Sequence, residues 1–361
     1  MAIFTDVLQD VTKNGRKLPT NEYKEFGHHP IIDQGQNDIA GYTDETNGLF
    51  SDVPAIIFGD HTRVIKYVDV PFFIGADGVK ILKAKGNKAN YKFLYYALSS
   101  AKIPNTGYNR HFKWLKEVDI PTYTEREQSQ IVSELDRITA LIDLRTEQLN
   151  KLDQLVKSRF IELFGGADYP KVLFENVCVF LRNGASIKQT KGAGGYPITR
   201  IETLSNDVFN IDRLGYADIT DLEKYQSYVL HHGDILISHI NSVAYLGRAV
   251  QYRGQLDTPI IHGMNLLCAR IADSYNPTYI EWFFKTPMAK EYISTITKKA
   301  VNQASITTSD LKKMQVPNPP KNLQDQFAAF VEQTDKSKLA VQQSLEKLET
   351  LKKSLMQQYF E

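Results

Sequence analysis

Cysteine is nearly absent from this sequence: two residues in 361, Cys178 and Cys268. Two thiols build no disulfide framework and are too few for a cysteine zinc site. Excess charge of either sign is missing as well. With 43 basic and 42 acidic residues the net charge is +1, so any polyanion must be held by locally placed Lys and Arg. No apolar run approaches the roughly 18 residues that cross a bilayer. The opening stretch MAIFTDVLQDVTKNGRK lacks the basic-then-apolar order of a secretory leader. These absences lead us to expect a reduced, cytoplasmic protein without a membrane partner.

Catalytic signatures are scarce too. Neither Gly-x-Ser-x-Gly nor a Walker lysine occurs. His28-His29 and His231-His232 are adjacent pairs, not the i, i+4 pairs of a helical metal site. The loop GAGGYP at 192–197 lacks phosphate-loop spacing. Asn318-Pro319-Pro320 starts like the amine-positioning element of amino methyltransferases, but Lys321 stands where an aromatic is needed. Carboxylates are scattered. The expectation is a chain that is not an enzyme on its own, with no catalytic residue, metal or directly bound cofactor.

What the sequence does contain is a repeat at an offset of 196 residues. Set without a gap, 121–164 and 317–360 agree at ten of 44 positions, among them Gln128/Gln324, Lys151/Lys347, Leu152/Leu348, Ser158/Ser354 and Phe164/Phe360. Average residue usage gives about three by chance. In the first copy apolar residues at 131, 135, 138, 142, 149, 152, 156 and 163 alternate in steps of 4 and 3, with Arg145 and Arg159 in the vacant places. That is a heptad seam. Thr124 and Glu127 form a capping box at its start, and Gly165-Gly166 stop it. The second copy puts Lys338 and Lys352 on the seam, follows Pro317, Pro319 and Pro320, and is expected to be capped by Asn322. Neither helix is stable alone, so the two are expected to pair.

The segments before each helix are also alike at their starts, IFTDVLQDVTKNG (3–15) and LFENVCVFLRNG (173–184). Strand-like runs occur at 55–59, 63–68 and 78–84, then at 233–240, 248–254 and 265–271, with one helix per domain near 90–101 and 277–297. The expected fold is α+β: α/β domains at 1–122 and 167–318 alternate with helices at 123–166 and 319–361. The helices form an antiparallel coiled coil, and a pseudo-twofold repeat relates the halves. The domains carry 15 basic and 14 acidic residues in 1–123, and 16 and 14 in 165–318. A DNA-binding face is allowed by that charge, not demanded.

In this order of parts the chain resembles the specificity subunit of type I restriction–modification enzymes. The residues that carry the resemblance are Glu127-Gln128-x-x-Ile131 after a proline turn, echoed by Gln324-x-x-Phe327. To these add Gln34-Gly35-Gln36-x-x-Ile39-Ala40-Gly41-Tyr42-Thr43-Asp44 and Gly233-Asp234-Ile235-Leu236-Ile237-Ser238 with Leu246-Gly247-Arg248. The resemblance implies two target-recognition domains that each read half of a split, asymmetric double-stranded DNA site. It implies partners as well: two methyltransferase subunits, and restriction–translocase subunits that join them. S-adenosylmethionine, ATP and magnesium would sit in those partners, and the work would be adenine methylation and phage defence. Helix 124–164 would span roughly 60 Å at 1.5 Å per residue, enough to hold two readers about ten base pairs apart on one DNA face. Alternatives are a related multi-subunit restriction system, a coiled-coil scaffold with no DNA role, and a stand-alone methyltransferase or nuclease.

Under this reading Gln34, Gln36, Asn37, Tyr42 and Thr43 are expected to meet base edges, since Gln and Asn can pair bidentately with adenine. Arg63, Lys66, Arg110, His111 and Lys113 would hold phosphates or guanine. In the second domain Ser238, His239, Asn241, Ser242, Tyr245 and Arg248 form a polar run after an apolar strand. Asn302, Gln303 and Ser305 follow Lys298 and Lys299, and Lys188, Lys191 and Arg200 flank a glycine-rich loop and could bind phosphate.

Overall fold

The computed structural model describes residues 1–361 apart from 76, 87–88, 108, 167, 191–193 and 300–302. The chain divides into two compact units: Met1–Gln148 with Val341–Glu361, and Leu149–Ala340.

The first unit is built on a four-stranded antiparallel sheet of β1 (Leu8–Asp10), β2 (Ala55–Gly59), β3 (Ile65–Val68) and β4 (Val79–Ala84), in the order β1-β4-β2-β3. β2 is the continuous apolar run AIIFG, buried on both faces, as a central strand should be. α1 (Tyr91–Ser99) is capped by the Asn90 side chain, which accepts from the Phe93 amide, and it packs Phe93, Leu94, Tyr96 and Leu98 inward. A second sheet places His29–Ile32 between Gly41–Thr43 and Phe73–Ile74. Ala2–Ile3 pairs with Asp119–Ile120 and ties the two ends of this domain together.

The second unit repeats that plan. β5 (Cys178–Asn183), β6 (Ile235–Ser238), β7 (Ala249–Gln251) and β8 (Leu266–Ile271) pair antiparallel in the order β5-β8-β6-β7. In local numbering this is the same strand order as in the first unit, and Lys171–Leu173 pairs with Gln315–Pro317 as the closing ribbon. The expected helix at 277–297 is two helices, α2 (Pro277–Phe283) and α3 (Pro287–Ile296). Pro287 explains the break. The residue before a proline is pushed out of helical geometry, and Thr286 becomes a cap whose hydroxyl accepts from the Ala289 amide.

Two 40-residue helices, Glu125–Phe164 and Lys321–Phe360, complete the chain. The capping box forms as read: the Thr124 amide donates to Glu127 at 2.8 Å, and the Glu127 amide to the Thr124 hydroxyl at 3.3 Å. Asn322 is not the cap of the second helix; it lies in the first turn, and the Pro320 carbonyl takes the Leu323 and Gln324 amides. The repeated glutamine has one local task in both copies. The Gln128 amide donates to the Tyr123 carbonyl at 3.0 Å and Gln324 to Pro319 at 2.8 Å, each pinning the turn that leads into the helix.

In the first unit the start of one long helix meets the end of the other. Tyr359 donates to Glu134 at 2.6 Å, and Ile131, Leu135 and Phe360 join the core formed by Phe4, Ile56, Phe58, Leu82 and Phe93. In the second unit the end of the first helix meets the start of the second. Asp153 pairs with Lys338 at 2.6 Å, Arg159 lies over Phe330, and Phe160 and Phe164 both pack on Phe327. In each unit the pairing is therefore antiparallel. Lys338 sits on the seam because a carboxylate of the facing helix neutralises it.

Phe327 is fully buried among Phe160, Phe164 and Trp282. Phe327→Ala is expected to cost about 3–5 kcal/mol, read by urea unfolding, whereas Leu339→Ala, at a 61% exposed position, stays within about 0.5 kcal/mol.

Candidate nucleic-acid interface

In the first unit the β2–β3 turn is closed by Gly59, whose amide donates to the Val64 carbonyl at 2.8 Å. Arg63 in this turn has φ +63°, a left-handed conformation that costs a side-chain-bearing residue about 1 kcal/mol or more. Its guanidinium donates to the Ile103 carbonyl at 3.2 Å. Gln36, Thr62 and Arg63 line an open groove of about 460 Å³ running to Ser99 and Ile103. Gln36 and Asn37 are exposed beside it.

Several expected contacts turn out to be braces. The Gln34 amide is engaged at both ends, donating to the Asp77 carbonyl at 2.8 Å and accepting from the His61 backbone amide at 3.1 Å. Lys66 is buried; its ammonium donates to the Asn37 carbonyl at 2.5 Å and lies 3.6 Å from Asp33. Burial lowers its pKa, and Asp33 offsets part of that. It anchors the loop that carries Gln36 and Asn37 and does not offer a free cation. His111 is fully buried, with Nδ1 2.9 Å from the Asp60 carbonyl. Thr43 is buried and accepts from the Glu45 amide, and Tyr42 is half-buried on its strand. Arg110 and Lys113 are exposed, with the Lys113 ammonium 4.1 Å above the Trp114 ring.

The β6–β7 connection occupies the equivalent place in the second unit. The Gly247 amide donates to Ser238 at 2.8 Å as Arg63 does to Gly59 at 2.7 Å, and Gly247 has φ +72°. Glycine suits this left-handed position, and a Cβ would come 2.2 Å from Ile293 Cδ1, so Ile293 would have to shift. This longer loop carries a short strand, Ile240–Asn241, which pairs with Ala304–Ser305, which in turn pairs with Lys298–Lys299. Two polar segments 60 residues apart in sequence thus form one small sheet, with Asn241 and Lys299 on either side of Ala304. Ser242, Tyr245 and Gln303 are exposed. The Arg248 guanidinium is 4.8 Å from the Tyr245 ring, 2.9 Å from Asp207, and donates to the Leu204 carbonyl at 2.8 Å.

Ser238 and His239 are buried, and burial pulls the His239 pKa below its usual 6.5. His239 is therefore neutral near pH 7 and supplies no charge to a phosphate. Lys188 and Arg200 are exposed beside Gln189–Thr190 and Tyr196–Ile198, which flank Gly215–Ala217 in one sheet. Arg200 lies 3.6 Å from Glu202. Lys191 and Asn302 lie outside the described residues.

Reasoning from sequence missed the support beneath the second domain's loops. Asp234 is 1% exposed and receives two hydrogen bonds of 2.8 Å from Arg270. The Arg182 guanidinium lies 4.6 Å and 4.7 Å from the rings of Phe180 and Tyr228. His262 is 1% exposed with Nδ1 3.2 Å from the Tyr228 carbonyl. Adjacent Gly233-Asp234 was the sequence signal for this buried carboxylate. Among the described residues no three His, Cys, Asp or Glu side chains are grouped to hold a metal.

A family model described as the type I restriction modification DNA specificity domain matches residues 5–154 and 171–351. The chain belongs to that family. It is 36% identical over 187 residues to the putative type I restriction enzyme MjaX specificity subunit of Methanocaldococcus jannaschii, covering 52% of this chain and 44% of that one. To the type I restriction enzyme EcoKI specificity subunit of Escherichia coli it is 25% identical over 272 residues, covering 67% and 57%. The chain thus spans about half the length of the curated relatives it matches. The crystal structure of the S subunit of a type I restriction-modification system from M. genitalium shares its fold, with TM-score 0.62 at 16% identity over 99% of this chain and 95% of that one.

Burial lowers the pKa of His262, as it does that of His239. Below the unfolded value of about 6.5 the unfolded chain binds protons that the native imidazoles refuse, so stability falls as pH drops. The thermal midpoint is expected to decline from pH 7 to about pH 5.5, and His262→Gln to flatten that decline. An equally steep decline in the variant assigns the effect to other groups.

Proposed function

We propose that this chain is a non-catalytic, cytoplasmic DNA-reading subunit. Each domain reads one half of a split, asymmetric site and directs adenine-methylating and restriction partners to it. The observation that carries the reading is duplication with divergence. The two domains share strand order, closing ribbon and the hydrogen bonds of one hairpin, yet the loops on that hairpin differ in length and in most of their polar residues. A common frame with unlike polar loops suits recognition of two unlike base sequences, since frame contacts position a reader and side chains at base edges specify. Gln36, Asn37 and Arg63 are the contacts proposed for the first half-site, with Arg110 and Lys113 on phosphates. Asn241, Ser242, Tyr245, Gln303 and Ser305 are those for the second, with Lys188 and Arg200 on phosphates.

The long helices carry apolar side chains that their own unit leaves exposed. These are Leu141, Leu144 and Leu351 in the first unit, and Leu155, Ile161 and Leu339 in the second. Such residues suit protein partners, proposed as two methyltransferase subunits joined by restriction–translocase subunits. S-adenosylmethionine, ATP and magnesium belong to those partners in this reading.

The test is competition binding by the chain with its methylating partner against duplexes that vary one half-site at a time. Gln36→Ala with Asn37→Ala is expected to lower discrimination by roughly 1–3 kcal/mol per lost contact in the first half-site only, and Asn241→Ala with Tyr245→Ala in the second only. Equal binding to every duplex would leave a scaffold role in place of reading.

A further inference from the structure

Within the second unit a groove of about 560 Å³ opens between the first long helix and the β6–β7 loop, with α3 along its edge. Its charged lining is Lys157, Arg248, Lys285 and Lys290 against a single carboxylate, Asp207, and Arg248 already neutralises Asp207 at 2.9 Å. Lys285 shares Glu281 with Arg253, at 3.7 Å against 2.9 Å. Lys157 and Lys290 have no carboxylate partner among the described residues. An adjoining groove gives the contrast: there Asp153 and Asp335 hold Lys338, Glu281 holds Arg253, and charge is balanced. Lys157, Lys285 and Asp207 line both grooves, and it is the excess of cations over carboxylates among the lining residues that distinguishes the first.

Two further observations indicate what the lysines face. α3 begins at the groove with Thr286 and Pro287, and Lys290 lies in its first turn, so the positive end of a ten-residue helix adds to the ammonium groups. The groove's other edge is Ala244, Leu246, Gly247 and Arg248, the continuation of the polar loop that carries Asn241 and Tyr245. A phosphodiester chain engaged by that loop would pass directly into the groove.

We infer that Lys157, Lys285 and Lys290 form a backbone-phosphate site for duplex DNA, so that the spacer helix itself contacts the DNA through Lys157. This rests on the DNA-reading proposal and adds residues to it that read no sequence. The groove beside the equivalent hairpin of the first unit has, among the described residues, Arg63 as its lining cation.

The experiment is fluorescence anisotropy of the full chain with a labelled duplex of random sequence across a salt series. Each lost phosphate contact lowers the slope of log affinity against log salt by about 0.9. Lys157→Gln with Lys290→Gln is expected to lower it by about 1.8, with an unchanged thermal midpoint, and the paired Arg substitutions to restore it. Lys336→Gln with Lys347→Gln, at exposed positions of the second long helix, is expected to leave it unchanged. An unaltered slope in the Lys157/Lys290 variant, with duplex binding intact, overturns the phosphate site and leaves the DNA reading standing. So does loss of the methylating partner with an unaltered slope, which assigns the groove to an acidic protein segment. Failure of the unaltered chain, alone and with its partner, to bind any duplex overturns the DNA reading itself.

Discussion

Neither domain closes its core without both long helices. In the first unit Ile131 and Leu135 from the start of one helix and Phe360 from the end of the other lie among Phe4, Ile56, Phe58 and Phe93. In the second, Val156, Phe160 and Phe164 share a core with Phe327, Val331 and Tyr279. Burying side chains of this size stabilises by about 1.5–3 kcal/mol each, large against the 5–15 kcal/mol net stability of a whole domain. The helices are thus part of each fold. Each domain therefore meets its helix segments through a packed core and not through a linker.

Duplication then explains which residues are kept and which diverge. Gln128 and Gln324 recur because each satisfies a carbonyl at a helix entry. The hairpin recurs because it ends a buried central strand. Its left-handed position is Gly247 in one half, where a Cβ would crowd Ile293, and Arg63 in the other, where the side chain opens onto a groove. An arginine here, where glycine would be unstrained, carries a local backbone cost of about 1 kcal/mol or more, and its guanidinium donates to the Ile103 carbonyl.

The helices, their capping box, the central strands and the repeat were legible in the sequence because period, caps and apolar runs are local signals. Pro287 was legible too, and its break between α2 and α3 was overlooked. Strand order was not readable, since hydrogen-bond pairing across 50 or more residues leaves no local trace. The candidate site was legible at the level of loops and poorly at the level of residues. Polarity alone does not separate Gln36, which is exposed, from Gln34, whose amide is bound at both ends, or Lys113 from buried Lys66. Lys157 and Lys290 were invisible as a pair because helix periodicity places them on unremarkable outer faces, and only the fold brings them to one groove.

Methylome sequencing of cells that carry this chain and its methylating partner, with and without replacement of the polar residues of the 241–245 loop, tests the central claim most directly. The expected result is a methylated motif of two unlike halves that depends on this chain, with loop replacement altering one half and leaving the other intact. A methylation pattern identical in the presence, absence or alteration of the chain would contradict it.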